Sequence, residues 1–411
     1  MHSFSLLSAA VFFVCKWYNL FMGRISKTMS GRKNMDLFIG NTCWDKTADE
    51  SHGFGKLAEN IKTNILIVGG GISGSLCAFV LSSQGMAVTV VEKNRIGRGS
   101  SAAHTGLLTY ESDRMLSELV DQIGEEKAVR FYKMCLEAMD QLSSINSKLN
   151  GTTEYRHRDS VYYASSTGDG ERLKREYGYL SKHGFPVEYL NGEELNKRYG
   201  IDKTCALRTW HDADVNPSKF IRALTERNLE TGVRYYENTD IDLERLEDGR
   251  AYTRDGCVID FDRLVLATGY TEIYPVIRDK CSISRTYAFC SEPISGRLWK
   301  DEVMVWETRK PYLYFRTTED HRIVGGGKDE ETDLLEKDKY KIHAKAEAIA
   351  EEIKGIFPWL DIKVSHAWNA LFATSKDGVP FIGKDPFKSS TYYLLGYEGN
   401  GTCYSMAGAM I

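Results

Sequence analysis

Paired cysteines are missing from this chain. Its nine cysteines, Cys15, Cys43, Cys77, Cys135, Cys205, Cys257, Cys281, Cys290 and Cys403, are scattered and never spaced C-x-x-C. The odd count excludes a disulfide framework and points to free thiols in a reducing compartment, so a cytoplasmic location is expected. The nine histidines show no ligand spacing, and no metal is expected. Charge of one sign is also scarce. The net charge of −4 over 411 residues, with 42% hydrophobic and 27% charged residues, excludes nucleic acid as a partner and excludes a disordered chain. One large globular unit or two interleaved domains fit this length. Neither repeats nor long linkers occur.

Long hydrophobic runs are lacking as well. The twelve residues Phe4–Cys15 are apolar but too short to span a bilayer comfortably. They resemble a signal-peptide core, yet no Lys or Arg precedes them and no A-x-A-like cleavage site follows clearly. Residues 1–34 are expected to be upstream sequence, with Met35 as the working start. A signal peptide or membrane association stays open.

What the chain does have begins at "NILIVGGGISGSLCAF", Asn64–Phe79. Ile65–Val68 reads as a buried strand. Gly69, Gly71 and Gly74 follow in G-x-G-x-x-G spacing: the first for a tight turn, the second for close approach to a pyrophosphate, the third for helix–strand packing. A helix from Ile72 to about Ser83 would aim its free N–H groups at that pyrophosphate. A second strand, Ala87–Val91, ends at Glu92, whose carboxylate can accept both ribose hydroxyls and would repel the 2′-phosphate of NADP. The bland alternative is a glycine turn that binds no nucleotide. The small residues Gly99-Ser100-Ser101-Ala102-Ala103 favour FAD over NAD, because a flavin must be threaded past such a loop and its hydroxyls can bond phosphate or ribityl oxygens.

On these residues the chain resembles the FAD-dependent oxidoreductases of the D-amino-acid oxidase type, the group of glycine oxidase and sarcosine oxidase. The likeness runs from about Met35 to the end. It rests further on "GRGSSAAHTGLL", on "HDADVNPSKF" at His211–Phe220, on "LVLATGY" at Leu264–Tyr270 and on "DGVPFIG…LLGYEGNGTCYS" at Asp377–Ser405. It implies oxidation of the C–N bond of an amine or amino acid by hydride transfer to the flavin. Oxygen, a quinone or a carrier protein would take the electrons. The substrate could be an amino acid, a secondary amine or a polyamine derivative. Cofactor contacts are expected at Gly69, Gly71, Ile72, Ser73, Gly74, Glu92 and Lys93, at Gly99, Ser100, Ser101, Ala103, His104 and Thr105, at Ile241, Thr268 and Gly269, and at Gly399, Asn400, Gly401 and Thr402. The glycines of Gly396–Thr402 would expose N–H groups at a short helix start, where they can stabilise negative charge on the flavin N1–C2=O edge. The alternative is a plain glycine-rich helix start. His104, in "GRGSSAAHTGLL", is the candidate covalent attachment point. Its surroundings do not match members that attach flavin through histidine, so non-covalent FAD is expected.

Tyr312, Tyr314 and Arg316 alternate on one strand and share a face. The resemblance places that strand along the substrate cavity, where Arg316, or Arg322 across the hairpin, would hold a substrate carboxylate in a two-pronged bond. The alternative is that these are ordinary barrel-face or surface residues. Trp368 and Phe372 are expected to wall the cavity or core. No catalytic residue is singled out.

The fold expected is α/β (α+β overall): a Rossmann-like FAD-binding domain of discontinuous segments, 63–113, 206–285 and 366–411. An antiparallel-sheet substrate domain, 114–205 and 286–365, interleaves with it, and 1–62 forms a lead-in. Apolar spacing predicts helices through Phe131–Leu149, from Asn216-Pro217 to Gly232, and along Ile342–Ile353. "PYLYFRTTEDHRIVGGG" predicts a hairpin turning at Thr318–His321. Two rivals remain at this point. An NAD(P)H–flavin disulfide reductase would need a redox cysteine pair after the first βαβ unit, and only Cys135 lies between Lys93 and Asp140. A flavin-binding protein without turnover is the other, since the chain ends eleven residues after Asn400 and a shortened closing helix would weaken FAD binding.

Overall fold

The computed structural model describes residues 37–44, 53–270, 280–396 and 398–411. The apolar run Phe4–Cys15 and Met35 lie outside them. Ile65–Val68 are buried on both faces, which suits the centre of a parallel sheet. Their strand, Ile61–Val68, pairs in parallel with Val88–Val91 on one side and with Val258–Leu266 on the other. Thr391–Leu395 and Arg234–Tyr236 extend this sheet in parallel, and Phe381–Lys384 and Arg250–Tyr252 add antiparallel strands, seven in all among the described residues.

Among the described residues the second sheet has ten strands, in the order 38–40, 364–375, 281–291, 323–330, 314–317, 304–307, 156–163, 205–214 and 107–108, with 187–191 beside 205–214. Its pairs are antiparallel except Met304–Glu307 against Arg156–Tyr163. The hairpin forms as the sequence predicts, with Tyr314 opposite Gly326. Thr318 closes its turn: its N–H donates to Arg322 O at 2.8 Å and its hydroxyl accepts from Arg322 N at 3.0 Å.

The helices follow their caps. Asn216 accepts from Lys219 N and Pro217 opens Pro217–Glu230. Asp338 caps Lys339–Ile356, whose Ile342, Ala346, Ile349 and Ile353 are buried. Glu125–Asn146 starts ahead of the apolar repeat and packs Tyr132, Cys135, Met139 and Leu142 in one core with Cys403, Tyr404 and Met406 of the last helix, Gly401–Ala409.

The sheets divide the chain differently from the sequence expectation at four places. Leu107–Leu108, Cys205–Asp214 and Val364–Ser375 all belong to the antiparallel sheet, as does the strand starting at Cys281. Val364–Ser375 pairs with Cys281–Ser291 from Ser375↔Cys281 to Val364↔Ser291. A pairing between segments so distant in sequence leaves no local signature.

Candidate active site

The glycine turn is built by exclusion of side chains. Gly69 has φ +110, and a Cβ there would overlap the carbonyl of Ala267, just past the neighbouring strand Val258–Leu266. A Cβ on Gly74 would overlap the carbonyl oxygen of Gly69, so Gly74 seats the helix hard against the turn. Gly71 caps Ile72–Ser83 and borders open space, where a Cβ would stand 3.1 Å from Ser101 Oγ. Ser101 Oγ in turn accepts from Ile72 N at 3.0 Å. At the end of Val88–Val91, the Glu92 carboxylate accepts from Gly70 N at 2.8 Å and Asn94 N at 2.9 Å. Burial raises this carboxyl, and those two N–H groups oppose the rise. Its remaining lone pairs can accept ribose hydroxyls.

The second loop holds a short helix, Ser100–Ala103, pinned by two indoles. Trp368 Nε1 donates to Ala103 O at 3.0 Å, and Trp44 Nε1 to His104 O at 2.9 Å. His104 Nδ1 accepts from Gly106 N at 2.9 Å, which places its proton on Nε2. Burial, reinforced by the charge of Arg316, lowers this imidazole to about 4, so it is neutral at pH 7.

The last helix closes the site. Ser405 Oγ lies 2.7 Å from Ser73 Oγ and donates to Gly401 O at 2.6 Å, tying the two helix starts together. Asn400 Nδ2 donates to the carbonyls of Thr109 and Glu111, fixing the turn that precedes Gly401.

These parts surround one cavity of about 540 Å³. Of the residues expected at the cofactor, all line it except Gly74, which lies beneath the turn. Tyr312 and Tyr314 line it too, with ring centroids 5.7 Å apart, as do Trp368 and Phe372. Arg316 and Arg322 do not, and this corrects the carboxylate-clamp expectation. Arg316 is 2% exposed and donates to Thr105 O at 2.8 Å, Val215 O at 2.9 Å and Thr317 O at 3.0 Å. A buried guanidinium takes the carbonyls within its reach, and the strand face alone could not reveal them. Arg322 sits at the hairpin turn against Asp320 and Ser291 O.

Sequence reasoning missed the acidic end of the cavity. Asp113 accepts from Tyr312 OH at 2.9 Å and from Gly399 N. Glu398, at φ +69, accepts from Ser375 Oγ at 2.7 Å, and burial with the nearby Asp113 charge raises it to about 7. Asp329 lines the wall beside Thr286 and is raised to about 6, by burial first and then by Asp113. Glu398 lies within the glycine-rich closing motif, whereas Asp113 and Asp329 fall outside every motif and carry no local signal.

A glycine cradle that side chains would fill, two adjoining helix starts and a carboxylate at the second strand's end fit FAD. Fold and site together define a dinucleotide-dependent flavoprotein. The chain belongs to the DAO family of FAD dependent oxidoreductases, whose model matches residues 64–411. Among curated relatives, a putative Rieske 2Fe-2S iron-sulfur protein of Bacillus subtilis is 24% identical over 57% of this chain, a match that spans only 45% of that relative. Gamma-glutamylputrescine oxidoreductase of Escherichia coli is 22% identical over 89% of this chain and 86% of its own length. The crystal structure of glycine oxidase from Bacillus cereus superimposes with a TM-score of 0.68 at 20% identity, covering 84% of this chain and 93% of that one. The protein is therefore an FAD-dependent oxidoreductase, and the disulfide-reductase reading is set aside. Among the described residues no helix is long and apolar enough to cross a membrane.

Proposed function

We propose that the chain oxidises the C–N bond of a small amine or amino acid, with FAD held non-covalently. One observation carries this reading. A single cavity joins the dinucleotide turn at Gly71 and Glu92 to a chamber walled by Tyr312, Tyr314 and Trp306. The relatives named for glycine and gamma-glutamylputrescine support the substrate class.

FAD supplies the hydride acceptor when bound. Gly69, Gly71, Ile72 and Ser73 would hold its pyrophosphate against the helix start, and Glu92 its ribose. The first N–H groups of an α-helix lack intrahelical acceptors, and Gly401 and Thr402 line the cavity, so they are placed to stabilise negative charge there. The aromatic wall would keep water from the reacting centre: Trp306 stacks on Tyr162 at 3.8 Å and meets Tyr312 edge-on at 6.4 Å. The parallel sheet with its helices would form the cofactor domain, and the antiparallel sheet the substrate domain. Eight free thiols among the described residues support a cytoplasmic location.

The test is anaerobic reduction of the FAD-loaded chain. Amines or amino acids should bleach the visible flavin band, and hydroxy acids should not. Bleaching by NADH alone would contradict the reading. Acid precipitation should release the flavin to the supernatant.

A further inference from the structure

We infer that the substrate is a cationic amine without an α-carboxylate, preferably a diamine, and that Asp329 selects for it, with Asp113 and Glu398 alongside. This rests on the amine-oxidation reading and narrows it.

Charge at the chamber end has one sign. Among the described lining residues the lysine and arginine side chains are Lys93 and Arg98, and both flank the nucleotide turn. Three carboxylates from three separate segments, Asp113, Asp329 and Glu398, gather at the other end. Arg316, which could have held a substrate carboxylate, spends its donors on backbone carbonyls. Exposed Lys310 acts on Glu398 from outside the lining.

A second observation concerns a single oxygen of one of these three carboxylates. Asp329 Oδ1 is shielded from solvent and accepts no hydrogen bond. Thr286 bonds the Asp329 carboxyl, so Oδ1 is the one oxygen left open, whereas Asp113 and Glu398 accept bonds from Tyr312, Gly399 and Ser375. A shielded carboxylate oxygen without a donor is costly, and a cation beside it removes that cost. A substrate carboxylate at the same place would meet like charge instead. Tyr312, Tyr314 and Trp306 line the same chamber, and aromatic rings also favour a cation.

The experiment compares ornithine and lysine with their decarboxylated diamines, using FAD-loaded wild type under anaerobic conditions. The diamines should reduce the flavin with kcat/KM at least about thirty-fold higher. Asp329→Asn should then lose about thirty-fold on the diamines, mostly in KM, with FAD content and Tm unchanged. Asp329→Glu should recover part of the loss. Amino acids that react as fast as the diamines would overturn the inference and leave amine oxidation standing. So would an Asp329→Asn enzyme that folds, holds FAD and keeps wild-type KM. If neither class reduces a flavin that dithionite does reduce, the amine reading fails and this inference fails with it. Should Asp329→Asn not fold, the wild-type pairs decide alone.

Discussion

Arg316 Nε donates to the carbonyl oxygen of Thr105 over 2.8 Å, across the seam between the hairpin strand and the second FAD loop. The same guanidinium reaches Val215 O and lies 3.9 Å from Asp214. Arg316 thus supports the loop carrying His104, and its role is positioning.

Replacing Arg316 by Ala should therefore lower stability and FAD retention together. Removing one partner from a buried charged network costs about 3–5 kcal/mol. Thermal unfolding and the flavin-to-protein absorbance ratio measure both effects. A variant with wild-type Tm and FAD content that loses only affinity for carboxylated substrates would restore the clamp role.

The two glycines at the turn should fail differently. Gly71→Val would place its side chain at the cavity wall, 3.1 Å from Ser101 Oγ at its Cβ. It should fold and lose FAD affinity by roughly ten- to a hundred-fold. Gly74→Val would drive into the Gly69 carbonyl and should destabilise the fold itself by about 1–3 kcal/mol or more. Flavin titration of folded apoprotein, set beside denaturant unfolding, separates the two. Equal FAD affinity in wild type and Gly71→Val would refute the cradle.

His104 should make the apoprotein acid-sensitive. Its folded value of about 4 lies below the ordinary value of about 6.5. A depressed group contributes stability that is present above the unfolded value and lost as pH falls through the folded one. The unfolded chain binds the proton first, so stability should fall from pH 6.5 towards pH 4, by roughly 3 kcal/mol for this group. His104→Gln should flatten that portion of the curve when unfolding is followed at pH 7 and pH 5. Parallel losses in wild type and variant would show that the imidazole stays charged in the fold.

Local sequence determined the elements whose signals are short. Four buried apolar residues, glycines at fixed spacing and a terminal Glu92 specify strand, turn, helix and strand, because each is decided by sterics within a few residues. Asn216-Pro217 and Thr318–His321 likewise act on their own backbone. The tertiary structure alone decided what lies across from each strand. Alternation predicts Tyr312, Tyr314 and Arg316 on one strand face, but Tyr312 precedes the strand Tyr314–Thr317, and the carbonyls of Thr105 and Val215 decided that Arg316 turns away from the cavity. Distant pairing put Cys205–Asp214 and Val364–Ser375 in the antiparallel sheet. It also gathered Asp113, Asp329 and Glu398 from three segments into one chamber. Charge interactions depend on distance in space, and no spacing along the chain encodes that.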